Sequence, residues 1–144
     1  GTRARFLTDL PREEMPSVYR AADLFALCSP KETLGTAFLE ALASGVPCLG
    51  NRFPVIEWVI GDGGRTLGVE EPGALAAAIP QFLNPALRAE VGANARRHAL
   101  ERFSKTVVID QQIQMYREVL ADDGRRPGVL TKRDDVDRQE PIAR

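Results

Sequence analysis

Residues 24–49 read LFALCSPKETLGTAFLEALASGVPCL. Leu24 to Cys28 form an uninterrupted apolar run of strand length, the pattern of a strand buried on both faces of a parallel sheet. A polar loop follows, with Ser29, Pro30, Lys31 and Glu32, and passes through Gly35 into a helix expected from Thr36. Gly45 is placed to close that helix as a C-terminal glycine, and Val46 to Leu49 supply the next short strand. Strand, helix and strand in that order make a βαβ unit and predict an α/β fold: a parallel sheet with helices on both faces. Such sheets bind ligands beyond the carboxyl ends of their strands, where loops lead into helix N-termini. Ser29 to Thr36 occupies that position.

Working outward, Arg5-Phe6-Leu7 is a strand candidate, and Thr8-Asp9-Leu10-Pro11 reads as a turn. Met15, Val18, Tyr19 and Ala22 recur at helical spacing, predicting a helix from near Arg12 to Ala22. Pro16 is tolerated only in a first turn, which argues for a later start. Downstream, Asn51 to Gly64 reads as irregular, with one helical turn around Val55 to Val59 and a glycine turn at Gly61 to Gly64. A strand over Arg65 to Val69 comes next, then helices over Glu71–Leu83 (kinked at Pro80), Ala86–Arg102 and Ser104–Leu120. The apolar pattern ends at Ala121. The expected division is therefore a folded domain over 1–121 and a disordered polar tail over 122–144.

Composition narrows the function. The chain has 144 residues, 44% hydrophobic and 27% charged, with a net charge of -1. That balance offers no broad electrostatic attraction for nucleic acid or anionic lipid. No apolar run reaches the roughly 20 residues of a transmembrane helix. Cys28 and Cys48 each end an apolar run and read as small buried residues of a reducing compartment. With His98 the only histidine, a zinc-type ligand cluster is not expected.

Stepping 100° per residue from Thr36 puts Thr36, Glu40, Ala43 and Ser44 on one face of the helix, and Phe38, Ala41 and Leu42 on the opposite one. The large side chains belong to the sheet, and the small ones leave room beside Glu40. The amides of Leu34, Gly35 and Thr36 lie at the helix start, without intrahelical acceptors and at the positive end of the dipole. They form an anion site suited to phosphate. Glu32 and Glu40 flank it, and carboxylates accept hydrogen bonds from hydroxyls. A ligand with a phosphate core and a polyol at each end fits: a nucleotide sugar. The plainer reading is that acidic residues gather at helix N-termini because the dipole favours them.

RFLTDLPREEMPSVYRAADLFALCSPKETLGTAFLEALASGVPCL, residues 5–49, resembles the donor-binding domain of GT-B glycosyltransferases of the GT4 type (glycosyltransferase group 1). The matching signature is a pair of glutamates separated by seven residues, Glu32 and Glu40, with Gly35 between them and EALASGVP closing it. EEPGALAAAIPQFLNPALRAEVGANARRHALERFS resembles the C-terminal helices of the same group, so the likeness runs from about Arg5 to Leu120. It implies a Rossmann-like parallel sheet with flanking helices, the C-terminal part of a GT-B enzyme.

The resemblance further implies a retaining glycosyltransferase that takes a nucleotide-diphosphate sugar as donor. Glu32 is implied as the catalytic-site residue, hydrogen-bonded to donor sugar hydroxyls, and Glu40 as the acceptor of bonds from the ribose. Backbone amides of Leu34, Gly35 and Thr36 are implied at the sugar or diphosphate, and Leu10 near the nucleobase. No cofactor and no obligatory metal are implied. The acceptor, a glycan, lipid or small molecule, is expected on an N-terminal domain upstream of Gly1, as is the basic pair that neutralises the diphosphate. On that expectation this chain alone has no transferase activity. The implied setting is cytoplasmic, with the inner face of the membrane and peripheral association left open, and nucleic acid is not an expected partner. Where the group often carries Gly-Phe after the first glutamate, this sequence has Thr33-Leu34. Two other readings stand beside the enzyme: a non-catalytic nucleotide-sugar-binding or regulatory module, and a related GT-B sugar-nucleotide epimerase.

Remaining signals favour structural roles. Asp135-Val136-Asp137 has the short Asp-x-Asp pattern of metal-dependent transferases but lies in the polar tail. Gly61 to Gly68 lacks dinucleotide and P-loop spacing. Arg96, Arg97 and His98 read as a solvated helix face, and Trp58 as packing. Glu57 is a candidate to face the donor cleft.

Overall fold

The computed structural model describes residues 3–121. The element order is α1 (Met15–Arg20), β1 (Phe25–Leu27), α2 (Thr36–Ala43), β2 (Cys48–Asn51), α3 (Pro54–Ile60), β3 (Gly64–Leu67), α4 (Ala74–Ala78), α5 (Pro85–Phe103) and α6 (Lys105–Ala121). Short 3-10 turns precede α1, join α3 to β3 and follow α4. The chain forms two units, the first ending at Val108 and the second beginning at Ile109. The described part of the second is the remainder of α6.

The sheet is parallel, in the order β1-β2-β3, with Phe25 beside Cys48 and Cys48 beside Gly64. Alternate residues of β2 point to opposite faces, and each seeds a core. Cys48 joins Phe38, Ala41, Leu42, Ile56, Val59, Ile60 and Ala95, from α2, α3 and α5. Leu49 joins Leu67, Ala78 and Phe82 on the other side. The expected two-sided α/β architecture is present. Phe38 and Leu42 are essentially inaccessible to solvent, and burial of each contributes about 1.5–3 kcal/mol.

Local chemistry accounts for the boundaries. Pro16 lies in the first turn of α1, and the preceding residues Arg12–Glu14 form a 3-10 turn, so the helix starts later than Arg12. Gly45 ends α2 at φ 77°, the left-handed cap its position predicts. Pro80 ends α4 early, and the segment continues as the 3-10 turn Ile79–Leu83. Asn84 caps α5, its side chain accepting from the amides of Ala86 and Leu87 at 2.9 and 3.3 Å.

Four expectations need correction. Arg5-Phe6-Leu7 is not a strand: no neighbour pairs with it among the described residues, and Phe6 is 90% exposed. Among the described residues β1 is an edge strand; Phe25 and Leu27 are half-buried on one face and Ala26 is exposed on the other, so it is not buried on both faces. The single turn expected near Val55 is a full helix, α3, started by Pro54. His98 is not on a solvated face. Its ring is half-buried, with Nε2 3.1 Å from the Val59 carbonyl, and it stacks edge-on against Phe103. Asp135, Asp137 and the proposed tail lie outside the described residues.

Candidate functional site

The loop from β1 enters α2 through Gly35, whose φ of 70° and ψ of 62° are left-handed and cost a side-chain-bearing residue about 1–2 kcal/mol. The turn is also crowded. A Cβ on Gly35 would sit 2.7 Å from Phe38 Cδ2 and 3.2 Å from Glu32 Cγ. The Gly35 carbonyl accepts from the Phe38 amide at 2.8 Å, closing the first turn of α2. Among the described residues the amides of Leu34, Gly35 and Thr36 donate to no protein acceptor, leaving three free donors at or beside the positive end of the helix dipole.

One turn into α2, Glu40 is half-buried, and its Oε2 accepts a hydrogen bond from the Tyr19 hydroxyl of α1 at 3.0 Å. Burial, and then the bond and charge of Glu40, push the Tyr19 hydroxyl up to about 12 from 10.0. The pair lines a hollow of about 340 Å³ with Arg12, Arg20, Ser44 and Arg96. Ala43 lines it too, as the helical stepping from Thr36 predicts, but Thr36 itself does not. Neither ion pair found among the described residues, Arg88–Asp23 and Arg97–Asp62, involves Glu40. Its carboxylate has three arginines around its hollow and is paired to none.

Glu32 lines a different hollow, of about 400 Å³, with Lys31, Thr33 and Phe53. The two carboxylates thus border separate hollows. Leu34 and Thr36 are exposed and Leu10 is half-buried, and none of the three lines either hollow. Glu57 is exposed on α3, its Oε1 3.4 Å from the Thr66 hydroxyl. Trp58 packs edge-on against Phe103 with ring centroids 4.9 Å apart, the packing role its sequence context predicts.

Three participants were not evident in the sequence. Tyr19 reads as a core residue of an amphipathic helix; the available signal is that a buried tyrosine hydroxyl needs a partner. Phe53, 41% exposed, borders the Glu32 hollow from the start of α3. Asn51, the buried polar residue ending β2, bonds to the segments after both neighbouring strands. Its Nδ2 lies 3.5 Å from the Ser29 carbonyl and 3.4 Å from Glu70 Oε1, and its Oδ1 accepts from the Val69 amide at 3.4 Å.

The described residues contain no cluster of three potential metal-binding side chains. No helix among them is long and apolar enough to cross a membrane.

Comparison with known proteins bears on this geometry. The family described as Glycosyl transferases group 1 matches residues 1–98. An N-acetyl-alpha-D-glucosaminyl L-malate synthase of Bacillus anthracis is 34% identical over 115 residues, covering 78% of this chain and 30% of that protein. A D-inositol 3-phosphate glycosyltransferase of Corynebacterium urealyticum is 33% identical over 118 residues, covering 80% of this chain and 28% of the relative. The solved sucrose-phosphate synthase of Thermosynechococcus elongatus superposes with a TM-score of 0.75 at 26% identity, over 83% of this chain and 31% of that one. This chain therefore spans about a third or less of the length of each.

Proposed function

This chain belongs to the group 1 glycosyl transferases, and we propose that it is the donor-binding part of a retaining enzyme using a nucleotide-diphosphate sugar. The observation that carries the reading is the start of α2. Among the described residues, three unpartnered amides lie between two carboxylates, one of which, Glu40, is half-buried and paired with no cation.

In this reading Glu40 accepts hydrogen bonds from the ribose hydroxyls, with Leu10 on the side of the base. The amides of Leu34, Gly35 and Thr36 hold the diphosphate or the nearest sugar hydroxyls. Glu32 holds the hydroxyls of the sugar beside its anomeric carbon. As the bond from that carbon to the diphosphate oxygen breaks, negative charge grows on the leaving group, and the fixed amide dipoles oppose it. The acceptor hydroxyl bonds to the anomeric carbon on the face the diphosphate leaves, so the configuration is retained. Its proton passes to the departing phosphate oxygen. No step requires a metal.

The acceptor, a glycan, lipid or small molecule, belongs to a part of the enzyme other than this chain. The names of the two relatives, which specify malate and inositol phosphate, favour a small hydroxylated acceptor. The chain alone is then a binder without turnover, and the setting is the cytoplasm. One alternative is a module that binds a nucleotide sugar without transferring it. An epimerase would act on the same donor with no acceptor.

Calorimetric titration of the full-length protein with UDP, GDP and ADP tests the reading. Binding of one diphosphate, weakened by Glu40→Ala, is expected. Absence of binding by all three would falsify it. Release of diphosphate only in the presence of an acceptor separates transfer from binding alone and from epimerisation.

A further inference from the structure

We propose that Tyr19 is a positioning residue for nucleoside recognition, holding the Glu40 carboxylate so that its second oxygen stays open to the ribose. The inference rests on the reading of Glu40 as the ribose-binding carboxylate. The hydroxyl of Tyr19 donates to Glu40 Oε2 at 3.0 Å, and no protein donor among the described residues engages Oε1. Both residues line the same hollow.

The surroundings explain why a neutral donor is needed there. Arg12, Arg20 and Arg96 line the hollow as well, yet none is ion-paired to Glu40. Arg96 is engaged elsewhere, its Nη1 2.6 Å from the Ala43 carbonyl. A carboxylate free to swing would be drawn to one of these guanidiniums, because a bidentate arginine pair is the strongest bond open to it. The tyrosine hydroxyl takes one oxygen, leaves the charge intact and fixes the plane of the other. The ring is itself fixed. It stands edge-on to Phe25 with centroids 5.7 Å apart, and Phe25 stands edge-on to Phe38 at 5.4 Å. Through this file of three rings the core of the sheet sets the direction of a half-buried carboxylate.

The test compares, in the full-length protein, a ribonucleoside diphosphate (whichever of UDP, GDP and ADP binds most tightly) with its 2′,3′-dideoxy counterpart. The wild type is expected to prefer the ribonucleotide by about tenfold or more, the range of hydrogen bonds to a charged group. Tyr19→Phe removes one oxygen and keeps the ring contacts. It should bring the preference below about threefold, with dideoxy affinity and the far-UV circular dichroism unchanged. Glu40→Asp keeps the charge but withdraws the carboxylate from Tyr19, and should reduce the preference similarly. A full ribose preference in either variant overturns the proposal. Equal weakening of both nucleotides by Tyr19→Phe overturns it too, because that is what a merely structural role predicts. A wild type with no ribose preference overturns the assignment of Glu40 itself, and the proposal with it.

Discussion

Gly92 of α5 and Gly45 after α2 meet backbone to backbone: a Cβ on Gly92 would lie 2.4 Å from the Gly45 carbonyl oxygen. The neighbouring bond from Arg96 to the Ala43 carbonyl fastens the same junction. Gly92→Ala forces α5 away from the end of α2, since the obstacle is main chain and not a flexible side chain. Overpacking of this kind costs about 1–3 kcal/mol, to be read as a lower denaturation midpoint at unchanged slope.

Gly35→Ala combines a left-handed backbone with a collision against Phe38 and the stem of Glu32. A loss of at least about 1–2 kcal/mol in stability is expected from the backbone alone. Because Glu32 is displaced, the affinity for an intact nucleotide sugar should fall more than that for its nucleoside diphosphate. Titration of one variant with both ligands measures the difference. Equal losses would remove Glu32 from the sugar end.

Glu32→Ala in the full-length enzyme should abolish transfer while leaving the thermal midpoint within a few degrees of wild type. The carboxylate is only half-buried and no protein hydrogen bond among the described residues depends on it. Rates with a saturating donor check this, and a folded variant that still transfers sugar at the wild-type rate would remove Glu32 from the reaction.

Cys48 is buried on β2, and desolvation pushes its thiol up to about 12 from 9.0. In the unfolded chain the thiol loses its proton near 9, while the folded chain keeps it until about 12. The unfolded state thus binds fewer protons in that window, and stability falls as pH rises. The contribution is fully present below pH 9 and declines by about 1.4 kcal/mol per pH unit above it. Tyr19, also raised, adds in the same direction above 10. Urea midpoints at pH 8, 9 and 10 should decline, less steeply in Cys48→Ala. In native protein at pH 8, iodoacetamide should label half-exposed Cys28 before Cys48.

Much of this fold is written locally. The run Leu24–Cys28, the glycines at 35 and 45, and the alternation of large and small residues along α2 each carry their own signal. They placed β1, α2 and β2 to within a residue or two. What the sequence conceals is pairing. Phe6 and Leu7 have the composition of a strand, but a strand exists only beside another, and none is available to them among the described residues. The stretch from Asn51 to Gly64 reads as irregular, although Pro54 suits the first turn of a helix and there begins α3. The site divides in the same way. Glu32, Gly35 and Glu40 stand out by spacing, whereas the contact between Tyr19 and Glu40 joins two helices 21 residues apart and has no local trace.

Asn51 has a consequence for how this surface can change. One amide joins the ends of all three parallel strands, so the segments after β1 and β3 are braced against each other through β2. The strand ends are therefore tied together beneath the loops, while Lys31, Thr33 and Phe53 border the Glu32 hollow with side chains that can be exchanged. New ligand preferences can arise by exchanging those side chains one at a time while the Asn51 bonds that tie the strand ends stay in place.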